Sequence, residues 1–108
     1  MDRSYIINYL VNKIDAKSYL EIGIGDGINF KNIKCDNKLS VDINPDFNPD
    51  IVASSDDFFR KNKESFDVIF IDGLHHADQV QRDILNSLSV LETNGFIVCH
   101  DTLPFTFD

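Results

Sequence analysis

The stretch Ser18-Tyr-Leu-Glu-Ile-Gly-Ile-Gly-Asp-Gly27 joins an apolar strand to a loop with glycine at every second position. Glu21 closes the strand, and Gly23, Gly25 and Gly27 punctuate the turn after it. Glycine at that density lets a backbone take positive φ and come within contact distance of a ligand, with no Cβ in the way. The loop is therefore a candidate seat for a nucleotide-like cofactor, the alternative being a turn needed only for strand-helix packing. A dinucleotide fingerprint requires G-x-G-x-x-G, and Ile28 stands where its third glycine belongs, which disfavours a nicotinamide cofactor.

Outward from this loop the chain alternates strand and helix signals. Ile6, Ile7, Leu10, Val11 and Ile14 recur at helical spacing and predict an amphipathic helix over residues 4–15, with Asp2 or Ser4 as its cap. The strand before the loop covers 19–24, and a short helical segment with Ile28, Phe30 and Ile33 on its apolar side follows the loop. A second strand over 38–43 is stopped by Pro45, just past Asp42. A brief third strand at 50–54 leads to a helix over 56–63 carrying Phe58 and Phe59. The nearly continuous apolar run 66–71 has the character of a parallel strand covered on both faces, at the sheet centre. Ala77, Val80, Ile84, Leu88 and Leu91 predict a helix from His76 to about Leu91, ended by Thr93-Asn-Gly95, before a fifth strand over 96–99. This alternation specifies an α/β domain with a parallel, doubly wound sheet, and the 108 residues fit one domain.

Ten Lys and Arg against eighteen Asp and Glu give a net charge of −8. That balance argues against capture of nucleic-acid phosphates or an anionic membrane surface, and favours small-molecule or cationic ligands. Cys35 and Cys99 form no C-x-x-C and signal neither a zinc site nor a redox pair; they read as small buried or half-buried apolar residues. No apolar stretch is long enough to span a bilayer, and Met1-Asp-Arg-Ser lacks the plan of a secretory signal, so a cytoplasmic protein is expected.

In an open doubly wound sheet the ligand lies beyond the carboxyl ends of the strands. The polar residues at those ends are Glu21 with the glycine loop, Asp42, the segment 54–57, the segment 72–76, and His100 with Asp101. Asp42 lies nineteen residues beyond Gly23, near the spacing at which an acidic residue accepts hydrogen bonds from ribose hydroxyls. An Asx turn set up by Asp-x-Asn-Pro is the alternative role.

The spacing E-x-G-x-G-x-G resembles motif I of the class I S-adenosylmethionine-dependent methyltransferases. Four further segments extend the likeness: Ser55-Asp-Asp-Phe-Phe59, Phe66-Asp-Val-Ile-Phe-Ile-Asp-Gly-Leu-His75, Gln79-Val-x-Arg-Asp83 and Gly95-Phe-Ile-Val-Cys-His-Asp101. Together they look like the branch that contains small-molecule and sugar O-methyltransferases and is related to the metal-dependent catechol type. The resemblance implies a five-stranded Rossmann-like sheet in order 3-2-1-4-5. It also implies a cofactor pocket built from Glu21, Gly23, Gly25, Gly27, Asp42, Ser55 and Asp56, the last pair beside the adenine. S-adenosylmethionine is cationic overall, which agrees with carboxylates near its seat. Asp72, His75 and Asp101 would then face the sulfonium methyl. Methyl transfer is an in-line displacement, so the main task is alignment of acceptor and methyl donor. His75 is a candidate general base that Asp72 would orient, or else a cap on the helix that follows. Asp72 and Asp101 are alternatively candidate ligands of a divalent cation such as Mg2+ that would bind acceptor oxygens, with His100 as a substitute ligand or a residue packed at the strand end. The catechol type carries an Asp-Asn pair where this chain reads Asp101-Thr102, and threonine is the poorer ligand.

Two departures from the family pattern shape the expectation. Ala77 stands where related sequences carry an aromatic residue. Class I methyltransferases also continue past the fifth strand with a helix and two strands, whereas Asp108 is the last residue here. The fifth strand would then be an edge with unpaired backbone groups, to be covered by the tail Leu103-Pro-Phe-Thr-Phe107 or by a second subunit. The expectation is thus either a homodimer through that edge or a piece of a longer protein. The leading functional expectation is methyl transfer to oxygen of a small-molecule or sugar acceptor. A non-catalytic cofactor-binding module, or an inactive fragment of a larger methyltransferase, is the competing one.

Overall fold

Two hydrophobic clusters sit on opposite faces of one sheet, and their membership follows the period-two alternation of the strands. On one face Tyr19, Val68 and Phe70 pack with Ile7, Val11, Ala16 and Ile33; on the other Leu20, Ile22, Ile69 and Ile71 pack with Val41, Phe58 and Phe66. The computed structural model describes residues 3–72 and 77–100. His75, Asp101 and the tail with Leu103, Phe105 and Phe107 lie outside the described residues.

The element order is α1 (Arg3–Lys13), β1 (Ser18–Ile22), α2 (Ile28–Asn32), β2 (Asn37–Asp42), a 3-10 turn at Pro45–Phe47, β3 (Ile51–Val52), α3 (Ser55–Lys61), β4 (Phe66–Asp72), α4 (Ala77–Ser89) and β5 (Leu91–His100). All pairings are parallel, and the spatial order is β3-β2-β1-β4-β5, the expected one. β4 is buried along almost its whole length, as its apolar run requires. Among the described residues no helix is long and apolar enough to cross a membrane.

α1 ends in a Schellman arrangement. Asp15 takes φ 53, Ala16 N–H donates to Val11 O at 2.9 Å and Asp15 N–H to Asn12 O at 3.2 Å. The turn redirects the chain into β1. Only Ile7 and Val11 of the predicted helix stripe are buried with Ser4, while Ile6 is exposed.

β3 is shorter than the expected 50–54 because a side chain replaces part of the ladder. Asp50 Oδ2 accepts from the Ser40 backbone N–H at 2.9 Å and from Ser40 Oγ at 3.0 Å, leaving only Val41↔Ile51 and Asp42↔Val52 as paired residues. Ser54 then caps α3 by accepting from Asp57 N–H at 3.1 Å.

The largest departures lie at α4 and β5. The helix ends at Ser89 rather than near Leu91, and Thr93-Asn-Gly95 lies inside β5 instead of terminating the helix. Pairing steps from Phe66↔Leu91 to Val68↔Phe96, so the strand carries a bulge over which Asn94 takes φ 67. A Cβ on Gly95 would meet Asp67 O at 2.5 Å, so glycine here permits a close backbone approach. The buried side of α4 is Val80, Asp83 and Ser87, with Ile84 packed against the core and Leu85 and Leu88 exposed; Asp83 bonds to α3 from this side. Ile28 is likewise exposed, its place on the inner side of α2 taken by Asn29. Cys99 is exposed, not half-buried, and the described cysteines form no disulfide.

Candidate functional site

At the carboxyl ends of β1 and β2 the glycine loop is held from outside itself. Gly23, Gly25 and Gly27 all have positive φ, at 82°, 55° and 82°. Asp42 Oδ2 accepts from Ile24 N–H at 2.9 Å and Gly25 N–H at 3.3 Å, and its Oδ1 accepts from Asn44 N–H at 2.9 Å. One carboxylate at the end of β2 thus clamps the loop after β1 and forms the Asx turn that leads to Pro45. A Cβ on Gly25 or Gly27 would meet nothing within 4 Å, so open space borders both residues.

Glu21 faces the α1/α2 side of the sheet, in step with Tyr19. It is only 1% exposed and accepts from Tyr19 Oη at 2.5 Å and from Asn29 Nδ2 at 2.8 Å. Burial pushes its carboxyl above the ordinary value, opposed by those two hydrogen bonds and by the charge of Arg3. The same burial, with Glu21 beside it, raises the Tyr19 phenol. The carboxylate reaches α2 and so anchors the far end of the glycine loop through Asn29.

A cleft of about 240 Å³ opens beside Asp42. Ile22, Val41, Ile43 and Ala53 give it apolar walls, while Asp42, Ser55 and Gln79 supply polar groups. Ser55 Oγ donates to Asp83 Oδ1 at 2.6 Å. Gln79 Nε2 donates toward Asp83 Oδ1 at 2.9 Å, Ser55 Oγ at 3.0 Å and Asp56 Oδ1 at 3.2 Å. Arg82 lies 3.6 Å from Asp56 and donates to Gln79 Oε1 at 2.5 Å. The start of α3 and the first turns of α4 are thereby tied into one wall.

Across the sheet, β4 ends on Asp72, which is 8% exposed. Its Oδ2 lies 3.5 Å from Arg3 Nη1, an ion pair longer than a hydrogen bond, and its buried Oδ1 has no hydrogen-bond partner among the described residues. Arg3 also lies over the Phe70 ring, 5.8 Å from its centroid. His100 on β5 pairs in register with Asp72. Among the described residues no group of three or more His, Cys, Asp and Glu is placed to hold a metal ion.

Residues 38–102, more than half of the chain, match the model of a family described as a methyltransferase domain. The chain belongs to that family. A search of curated proteins finds no match. The fold of this methyltransferase domain is shared with solved structures of low sequence identity. The N-methyltransferase NodS from Bradyrhizobium japonicum WM9 is 19% identical with a TM-score of 0.72, over 90% of this chain and 65% of its own. A Staphylococcus aureus protein assigned as a caffeoyl-CoA O-methyltransferase is 20% identical with a TM-score of 0.73, over 92% of this chain and 57% of its own. The O-methyltransferase TomG from Streptomyces achromogenes, involved in tomaymycin synthesis and solved in complex with S-adenosylmethionine, is 12% identical with a TM-score of 0.72, over 90% and 54%. The chain therefore spans less than two thirds of the length of each of these structures.

Within the methyltransferase domain the structure brings Gly23, Asp42 and Ser55 to one cleft, while Asp56 does not line it and reaches it only through Gln79. It sets Glu21 behind the loop and Asp72 at the neighbouring strand end. Sequence reasoning gave no role to Gln79 or Asp83. The signal available for them was the spacing: four residues apart on one helix, they reach the same partner.

Proposed function

We propose that this chain is an S-adenosylmethionine-dependent methyltransferase domain that methylates an oxygen of a small-molecule or sugar acceptor. The observation that carries the reading is the Asp42 clamp, which holds a positive-φ glycine loop open beside an apolar cleft. Residues 1–108 are proposed to form a single domain.

The residues fit the cofactor in chemistry as well as space. Three donors occupy Asp42, and a carboxylate has about four lone-pair sites, which leaves Oδ1 able to accept a ribose hydroxyl. Ile22, Val41 and Ala53 offer apolar contact to a base, with Ser55 at its edge and Asp56 beyond it, bonded to Gln79. Gly23, Gly25 and Gly27 give backbone access, and Glu21 holds α2 against the loop. The orphaned Asp72 Oδ1 is a buried acceptor suited to an ammonium group.

Bound S-adenosylmethionine supplies a methyl group on a sulfonium, which an acceptor oxygen displaces in line. In this proposal Asp72, His75 and Asp101 line the acceptor side. His75 takes the acceptor's hydroxyl proton as the new C–O bond forms and the C–S bond breaks, and Asp72 orients it. Asp72 and Asp101 are also the residues that would hold Mg2+, where the cation would lower the acceptor's pKa.

Calorimetric titration with S-adenosylmethionine and with S-adenosylhomocysteine tests the reading, and measurable heat of binding with both is expected. Absence of heat with either ligand ends it. Binding without methyl transfer across a broad panel of hydroxylated acceptors would leave a cofactor-binding module instead of an enzyme.

A further inference from the structure

Asp83 does not line the cleft, yet it bonds to Ser55 and Gln79, which do. We propose that Asp83 is a positioning residue that fixes the polarity of the Ser55 hydroxyl, so that this wall's side chains offer acceptors and select an amino-purine over its 6-oxo counterpart. The inference rests on the cofactor reading above and deepens it.

The polarity follows from the network. Gln79 Nε2 faces Asp83 Oδ1 at 2.9 Å and Asp56 Oδ1 at 3.2 Å, while its Oε1 faces the Arg82 guanidinium at 2.5 Å. The opposite amide orientation would set an oxygen against two carboxylates and an NH2 group against a cation, so the orientation is fixed by its neighbours. Asp83 Oδ1 therefore accepts from Gln79, and it remains an acceptor whatever the state of the other carboxyl oxygen. An acceptor 2.6 Å from Ser55 Oγ leaves that hydroxyl one role, that of donor. Its single hydrogen is thereby engaged, and its oxygen shares the two Gln79 Nε2 hydrogens with Asp83 and Asp56, at 3.0 Å. What the Ser55 side chain has to offer a ligand is lone-pair density only. Asp56 adds carboxylate oxygens beside it. An exocyclic amino group satisfies such a wall, whereas a carbonyl oxygen at the same place sets acceptor against acceptor.

The test is a ratio of affinities, measured by calorimetry on the full chain with S-adenosylhomocysteine and its deaminated analogue S-inosylhomocysteine. The wild type should prefer the adenosyl ligand by about tenfold or more, the effect of one favourable hydrogen bond against one unmet one. Asp83→Ala frees the Ser55 hydrogen to turn toward the ligand and should lower the ratio severalfold, with the Asp56 carboxylate keeping the remainder. Asp83→Asn keeps a carbonyl oxygen toward the same two donors and should restore the wild-type ratio. Ser55→Ala should lower the ratio as well, and it decides the matter if Asp83→Ala does not fold by circular dichroism. A purely structural Asp83 would weaken both ligands equally in Asp83→Ala and leave the ratio intact, which overturns the proposal. An unchanged ratio in Ser55→Ala overturns it too. A wild type that binds both ligands equally defeats this inference while the cofactor reading stands; a wild type that binds neither defeats both.

Discussion

The two sides of the site differ in how completely their polar groups are engaged. On the β2/α3 side, Asp42 holds three backbone donors, and Ser55, Asp56, Gln79 and Asp83 share hydrogen bonds across two helices. On the β4 side, Asp72 is buried with one oxygen unpartnered among the described residues and the other in a 3.5 Å ion pair to a partly exposed arginine. The first side is tied together by hydrogen bonds among its own residues. The second holds back an unsatisfied acceptor, which folding alone leaves costly and a cationic partner would relieve. A site with one settled side and one unsettled side separates holding a ligand from acting on it.

The contrast can be broken most strongly from the settled side. Asp42→Ala removes both the loop clamp and the remaining acceptor, and calorimetry should show affinity for S-adenosylhomocysteine lowered on the order of a hundredfold, as expected for loss of hydrogen bonds to a charged group. Unaltered affinity would mean that the loop holds its shape without the clamp. The unsettled side gives a smaller and more selective effect. Asp72→Asn should weaken S-adenosylmethionine about tenfold and leave 5′-methylthioadenosine, which has no ammonium group, unaffected. Its folding stability should change by less than about 1 kcal/mol, because the Arg3 ion pair is long and its arginine is 41% exposed. Equal weakening of both ligands would place Asp72 away from the ammonium.

The smallest effect concerns Glu21, behind both sides. Its folded-state pKa is raised, chiefly by burial. Its contribution to stability is therefore fully present below the ordinary glutamate value of about 4.3 and is lost as pH rises through the folded value. Glu21→Gln keeps an oxygen for Tyr19 and Asn29 without the ionisation. In urea denaturation the variant should gain on the wild type as pH rises through that window, and a constant difference across pH would show that Glu21 is not the group responsible.

How far the sequence revealed these features depends on what each signal physically reports. The run 66–71 and the glycine loop are local and strong signals, so the parallel sheet is readable from them. The resemblance supplied the strand order. Asp42 was read as a ribose ligand or an Asx turn; the turn is present, while the clamp on Ile24 and Gly25 depends on β1 and β2 lying side by side. Apolar periodicity places Val80 and Ile84 on the inner side of α4, as found, but not Asp83, which bonds to Ser55, a partner 28 residues away. Thr93-Asn-Gly95 carries a turn signal that a strand bulge satisfies as well as a helix end does, and only the register with β4 distinguishes the two.

The glycine loop has a kinetic consequence. Glycines have more freedom to lose than other residues when a backbone is fixed, and a slack loop would surrender that freedom each time a ligand arrived. Here Asp42 removes it once, when β1 and β2 come together, because its carboxylate holds the Ile24 and Gly25 N–H groups. A chain ordered in advance spares each encounter the delay of reordering it.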